Sequence, residues 1–148
     1  MLVVGIALGD CALAQTHAPL MVTARVAPVA NLELISQPAM ISVSALDVER
    51  GFLDVAIPSS MRIRSNSPRG YELEFTPVLP LFSALAVRGL SQQDVTIGAA
   101  GGSVVQRWQH GQAVALNLSW RFYLAPGVTA GEYAWPLRLD VRPLSVGQ

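Results

Sequence analysis

The chain has 148 residues with ten Arg, no Lys, ten acidic residues and a single Cys. That charge balance argues against nucleic acid or an anionic membrane as a partner. The length fits one domain able to bury a core without disulfide staples.

Leu2 to Leu8 is a short apolar run, and Ala12-Leu13-Ala14 is an A-x-A site to be cut before Gln15. Together they read residues 1–14 as a secretory signal peptide, too short to span a bilayer. No basic residue precedes the run and Asp10 intrudes, which fits a start codon placed too far downstream. An N-terminal core strand is the competing reading. A lipidated Cys11 is a weaker one, because Asp10 directly precedes it. Cleavage would leave ten Arg against nine acidic residues, no Cys and no apolar stretch long enough for a membrane helix.

Leu20, Val22, Ala24 and Val26 alternate with Met21, Thr23, Arg25 and Ala27 until Pro28 ends the run. Residues 15–28 therefore form a strand-like segment ahead of a domain spanning 29–148. Strands are expected at 32–35, 40–45 and 52–57, each bounded by Gly, Pro or Asn. Met61 to Ser65 and Tyr71 to Phe75 flank Asn66-Ser67-Pro68-Arg69-Gly70 and read as a hairpin. Its expected register sets Ile63 against Leu73 in the core, and Arg64 against Glu72 and Arg62 against Glu74 outside. Leu81 to Val87 is the best helical candidate, barely two turns, and reads equally as loop followed by strand. Val95 to Ile97 and Val104-Val105 flank a glycine-rich turn at 98–102, expected as a flexible hairpin tip. Val114, Leu116, Leu118, Trp120, Phe122 and Leu124 form a long alternating run. Tyr133, Trp135, Leu137, Leu139 and Val141 form the last one, with Pro136 on its wet side. Proline within a strand points to a sheet edge, here a strongly apolar edge open to a further strand. The fold class is all-β, a β-sandwich.

Catalytic chemistry finds little to work with. His17 stands just past the cleavage site, and His110 lies in a Gln109-His110-Gly111-Gln112 turn with no second His or Cys beside it. Asp47, Glu49 and Asp54 lack the dense acidic and glycine spacing of a calcium loop. No amphipathic helix follows Gly98 to Gly102 to bind phosphate. The expectation is a non-enzyme with no catalytic residue, metal or cofactor. Parity places Trp120 and Trp135 in the core, leaving Trp108 and Tyr123 as surface aromatics able to stack on sugars.

The segment Met21 to Val26, the closing Ala130-Gly131-Glu132-Tyr133-Ala134-Trp135-Pro136-Leu137 and the signal peptide resemble a chaperone–usher pilin subunit. The closest likeness is to the archaic, spore-coat-protein-U-like branch, whose subunits often end in a Gly-x-Tyr-led strand. The resemblance implies an immunoglobulin-like, pilin-type β-sandwich lacking its last strand, completed first by a periplasmic chaperone and then by the N-terminal extension of the next subunit. It implies Leu20, Val22, Ala24 and Val26 as the donor strand, and Tyr133, Trp135, Leu137, Leu139 and Val141 as the acceptor edge. An outer-membrane usher and other fimbrial subunits are the further partners, with export to the periplasm and then the cell surface. Asn31-Leu32 stands where such pilins often carry the first cysteine of a disulfide. The alternative is a self-contained secreted domain that binds carbohydrate or protein.

Overall fold

The computed structural model describes residues 23–24, 26–107 and 113–145. The expected signal peptide, Leu20, Val22, His17, Trp108 and His110 lie outside them. The described chain is predominantly β. Its strands run β1 (Ala30–Ser36), β2 (Met40–Val43), β3 (Phe52–Asp54), β4 (Ser59–Ser65), β5 (Tyr71–Pro77), β6 (Phe82–Arg88), β7 (Val95–Gly98), β8 (Gly102–Gln106), β9 (Val114–Leu124), β10 (Gly131–Ala134) and β11 (Leu137–Pro143). A helix, α1 (Ala45–Arg50), separates β2 from β3.

All pairings between these strands are antiparallel. The larger sheet has the order β1-β4-β9-β6-β7, with β3 also on β9. A second sheet has the order β11-β5-β8, and β2 pairs with β10. Alternation along each strand decides what it buries. On β4, Met61 and Ile63 are fully buried, as are Leu118 and Phe122 on β9 and Leu73 on β5. Side chains from both sheets meet in one core. Phe75 of β5 stands edge-on to Trp120 of β9 at 6.3 Å between centroids. Trp135 packs edge-on against Trp120 at 5.5 Å and Phe122 at 5.7 Å. Each large apolar side chain so enclosed contributes roughly 1.5–3 kcal/mol.

The expected hairpin between β4 and β5 does not form, although both strands and their buried faces do. β4 lies between β1 and β9, and β5 between β11 and β8, so the two strands belong to different sheets. Ile63 opposes Leu32 and Val114, while Leu73 opposes Val141 and Val104. The charges follow: Arg62 pairs with Glu33 at 3.4 Å, and Glu74 with Arg142 at 2.7 Å. Alternation tells which side of a strand is apolar. It does not tell whether two such strands lie edge to edge or face to face about 10 Å apart.

The segment at 98–102 is likewise a crossing between sheets, because β7 pairs with β6 and β8 with β5. Gly101 at its tip has φ +85°, and a Cβ there would strike the Phe75 carbonyl oxygen. The helical candidate at 81–87 is the strand β6. A register shift between Phe82 and Ala84 turns both Phe82 and Leu85 inward, which gives the sequence a helix-like spacing of three. The helix that does form starts at Ser44, whose hydroxyl accepts from the Asp47 N–H while the Asp47 carboxylate accepts from the Ser44 N–H. The Ser44 hydroxyl also donates to the Asp47 carboxylate at 2.6 Å, and this bond, followed by that from the Ser44 N–H and by Arg50, holds the Asp47 carboxyl below its ordinary range. Gly51 then closes the helix in the left-handed conformation.

One polar contact is sealed inside the core: the Trp120 indole N–H donates to the Ser59 hydroxyl at 2.9 Å. Ser59→Ala strands that buried donor and is expected to cost about 1–3 kcal/mol. Ser60→Ala, which removes an exposed bond to Asn117, is expected to cost under about 0.5 kcal/mol. Urea denaturation of the two variants checks the contrast.

Candidate functional site

The expected last strand, Tyr133 to Val141, is broken. Pro136 donates nothing to a ladder, and the chain bends at Trp135-Pro136 into β10 and β11. Pro136 is buried in that bend rather than on the wet side, and its carbonyl accepts from the Val78 N–H at 2.9 Å. β10 then pairs with β2, whereas β11 pairs with β5. A parallel change occurs in the first strand. β1 pairs with β4 in the larger sheet, and past Pro38 the chain switches sides so that β2 joins β10.

These two changes leave a seam. β1 ends one sheet and β11 ends the other, and among the described residues neither strand has a partner on its outer side. Leu32 and Leu34 oppose the fully buried Ile63 and Met61, so they face inward, yet Leu34 is 48% exposed. Across the seam, Leu139 and Val141 oppose the buried Phe75 and Leu73 and are themselves only half-buried. The core thus runs out at this line while its apolar rows are still partly open. In places the Cα atoms of β1 and β11 lie within 8 Å of each other. Two ladder spacings are about 9.6 Å, so the edges must part for a strand to lie between them.

Both ends of the seam are tied. At one end the Trp135 N–H donates to the Ala39 carbonyl at 2.9 Å. At the other, the Ser67 hydroxyl donates to the Leu144 carbonyl at 2.6 Å, and the Leu144 N–H to the Gly70 carbonyl at 3.1 Å. Asn66 there clamps the root of the N-terminal segment. Its amide group accepts from the Val29 N–H at 2.6 Å and donates to the Ala27 carbonyl at 3.0 Å, and its own N–H donates to the Val29 carbonyl. Sequence reading missed Asn66. The only signal was its place at the head of a turn, where Asn bonds neighbouring backbone.

Of the expected donor residues, Ala24 and Val26 are exposed, Val26 by 79%. Of the expected acceptor residues, Trp135 and Leu137 are buried, and Tyr133, Leu139 and Val141 are half-buried. Tyr133 donates its hydroxyl to the Thr129 carbonyl at 2.8 Å. Among the described residues the buried Trp135 indole N–H has no hydrogen-bond partner.

Tyr123 is exposed on β9, opposite Phe52. The Arg50 and Arg121 guanidinium groups lie 4.9 and 4.5 Å from the Phe52 ring. Arg121 also forks onto Asp54 at 2.7 and 2.9 Å, and these bonds hold the Asp54 carboxyl below its ordinary range. A cavity of about 670 Å³ is lined by Arg69, Glu72, Arg107 and Leu144 among others. Arg69 there donates to the Ser145 carbonyl, and Glu72 accepts from the Ser103 hydroxyl. Among the described residues no three His, Cys, Asp or Glu side chains gather as a metal site. No protein-family model, curated protein or solved structure matches the chain.

Asn66→Ala removes the side-chain bonds to Ala27 and Val29 and keeps the main-chain bond to the Val29 carbonyl and the core. Tryptic cleavage after Arg25 is expected to quicken severalfold with little change in melting temperature, read by limited proteolysis and thermal unfolding.

Proposed function

We propose that this chain is a secreted, non-enzymatic structural subunit of a surface fibre, assembled by donor-strand complementation across the β1–β11 seam. The observation that carries the proposal is the pairing of two unpartnered edges with half-open apolar rows, Leu32 and Leu34 facing Leu139 and Val141. A strand with apolar residues at every second position would bury one face there and bond both edges through its main chain. The chain carries such a segment at Leu20, Val22, Ala24 and Val26.

Strand order supports the reading. β1-β4-β9-β6 corresponds to strands A, B, E and D of an immunoglobulin-type sandwich, and β11-β5 to F and C, with the position of G beside β11 open. In this function a periplasmic chaperone fills the seam first, an outer-membrane usher receives the subunit, and the segment of a neighbouring subunit replaces the chaperone strand.

The closeness of β1 and β11 favours a second reading. A domain whose edges are already drawn together is a self-contained binding module, with exposed Tyr123 as its surface aromatic. Val22→Asp separates the two. A carboxylate entering an apolar seam costs several kcal/mol, so the fibre reading expects loss of polymers with chaperone binding retained. Size-exclusion chromatography and electron microscopy of the full chain read the outcome. A wild-type chain that stays a stable monomer when expressed with its chaperone and usher overturns the fibre reading in favour of the module.

A further inference from the structure

Ala27-Pro28-Val29 separates the alternating segment from β1 and decides where that segment can go. Leu32 and Leu34 of β1 face inward, so Asn31 and Glu33 face outward. To enter its own seam the segment must fold back on β1 with its apolar residues in the inward rows. A two-residue loop at Ala27-Pro28 sets Ala24 against Asn31 and Val22 against Glu33, on the wet side. A three-residue loop at 27–29 sets Ala24 against Leu32 and Val22 against Leu34, on the correct side. That loop needs a right-handed helical Ala27 and a left-handed Val29. Pro28 disfavours the first, and the branched Cβ of Val29 disfavours the second. Longer loops need Ala27 and Val29 free, yet Asn66 holds them. The Val29 N–H donates to Asn66 Oδ1 at 2.6 Å, and Asn66 Nδ2 donates to the Ala27 carbonyl at 3.0 Å. The Asn66 N–H donates to the Val29 carbonyl at 3.1 Å. A strand parallel to β1 would need a crossover of about a dozen residues. Ala24 and Val26 are accordingly exposed, outside their own seam.

We infer that Ala27-Pro28-Val29 and Asn66 form a stop against self-insertion, which keeps residues 20–26 for the seam of a second copy. The inference rests on the proposed donor-strand function and adds to it what sets the direction of the exchange. Such a stop is needed because tethering favours the wrong partner. A segment joined to its own seam by so short a linker has an effective concentration on the order of millimolar, above that of a neighbouring subunit. Without the stop each subunit would close on itself. Asn66 is a positioning residue here, acting through Ala27 and Val29.

The test compares the wild-type full chain, Asn66→Ala and the triple variant Pro28→Asn, Val29→Gly, Asn66→Ala, each diluted until monomeric. All three substituted positions are exposed. Asn followed by Gly supplies the loop conformations that Pro28 and Val29 deny. In the triple variant, tryptic cleavage after Arg25 is expected to slow about tenfold or more relative to Asn66→Ala. A labelled synthetic peptide of residues 18–28 is expected to bind the wild type and not the triple variant. Adding Val22→Asp to the triple variant is expected to restore both cleavage and peptide binding, because closure depends on the apolar row. A triple variant cleaved as fast as Asn66→Ala, while the wild type binds the peptide, overturns the inference and leaves the donor-strand reading standing. A wild type already protected at Arg25 and closed to the peptide, with Val22→Asp releasing both, overturns it too, because the segment then inserts in its own seam. A wild type that refuses the peptide, with Arg25 open in every variant, overturns the donor-strand reading and this inference with it.

Discussion

A β-strand has two edges, and main-chain groups on an edge without a partner must be met by water or another chain. That constraint organises this molecule. β1 and β11 each use one edge and leave the other facing the seam, at the line where the apolar core also ends. Hydrogen-bonding capacity and unburied apolar surface thus coincide. A strand of period two satisfies both at once, which neither a helix nor a small ligand does. Three of the outward cations near the seam are paired, Arg62 with Glu33, Arg138 with Asp140 and Arg142 with Glu74. The inward rows along the seam are apolar.

The bend at Trp135-Pro136 produces this arrangement. Without an N–H at Pro136 the ladder stops, and the segment before it is free to pair with β2 while the segment after it pairs with β5. The matching switch past Pro38 carries the first strand across from β4 to β10. Two prolines thereby hold the seam shut at one end. Asn66 and Ser67 hold the other through side-chain bonds to Ala27, Val29 and Leu144. The seam is a slot of fixed length.

Much of this was legible in the residues, and the losses have physical causes. Period-two alternation located β4, β5, β9 and β11, and placed Met61, Ile63, Leu73, Phe75, Trp120 and Phe122 in the core correctly, because burial acts on each side chain separately. The partners of β4 and β5 were not legible, because pairing depends on where the Asn66–Gly70 turn carries the chain. A bulge in β6 produced inward residues three apart, the spacing of a helix turn. α1 was missed since six residues cannot show a full amphipathic period, although Ser44 and Asp47 spelled its cap. Pro136 stands outside both β10 and β11, and its burial follows from a bend that alternation does not register. Trp135 was legible as core, because it shares its face with Leu137.

The central claim is that β11 offers its outer edge to a strand from another copy. Amide hydrogen exchange along Leu137 to Arg142 tests it directly, because alternate residues of an antiparallel strand direct their N–H groups to opposite neighbours. In the isolated chain the amides facing β5 should be protected and those facing the seam should exchange freely. In the assembled form the seam-facing set should become protected while the β5-facing set changes little. Seam-facing amides already protected in the monomer, or still exchanging freely in the polymer, would contradict the account.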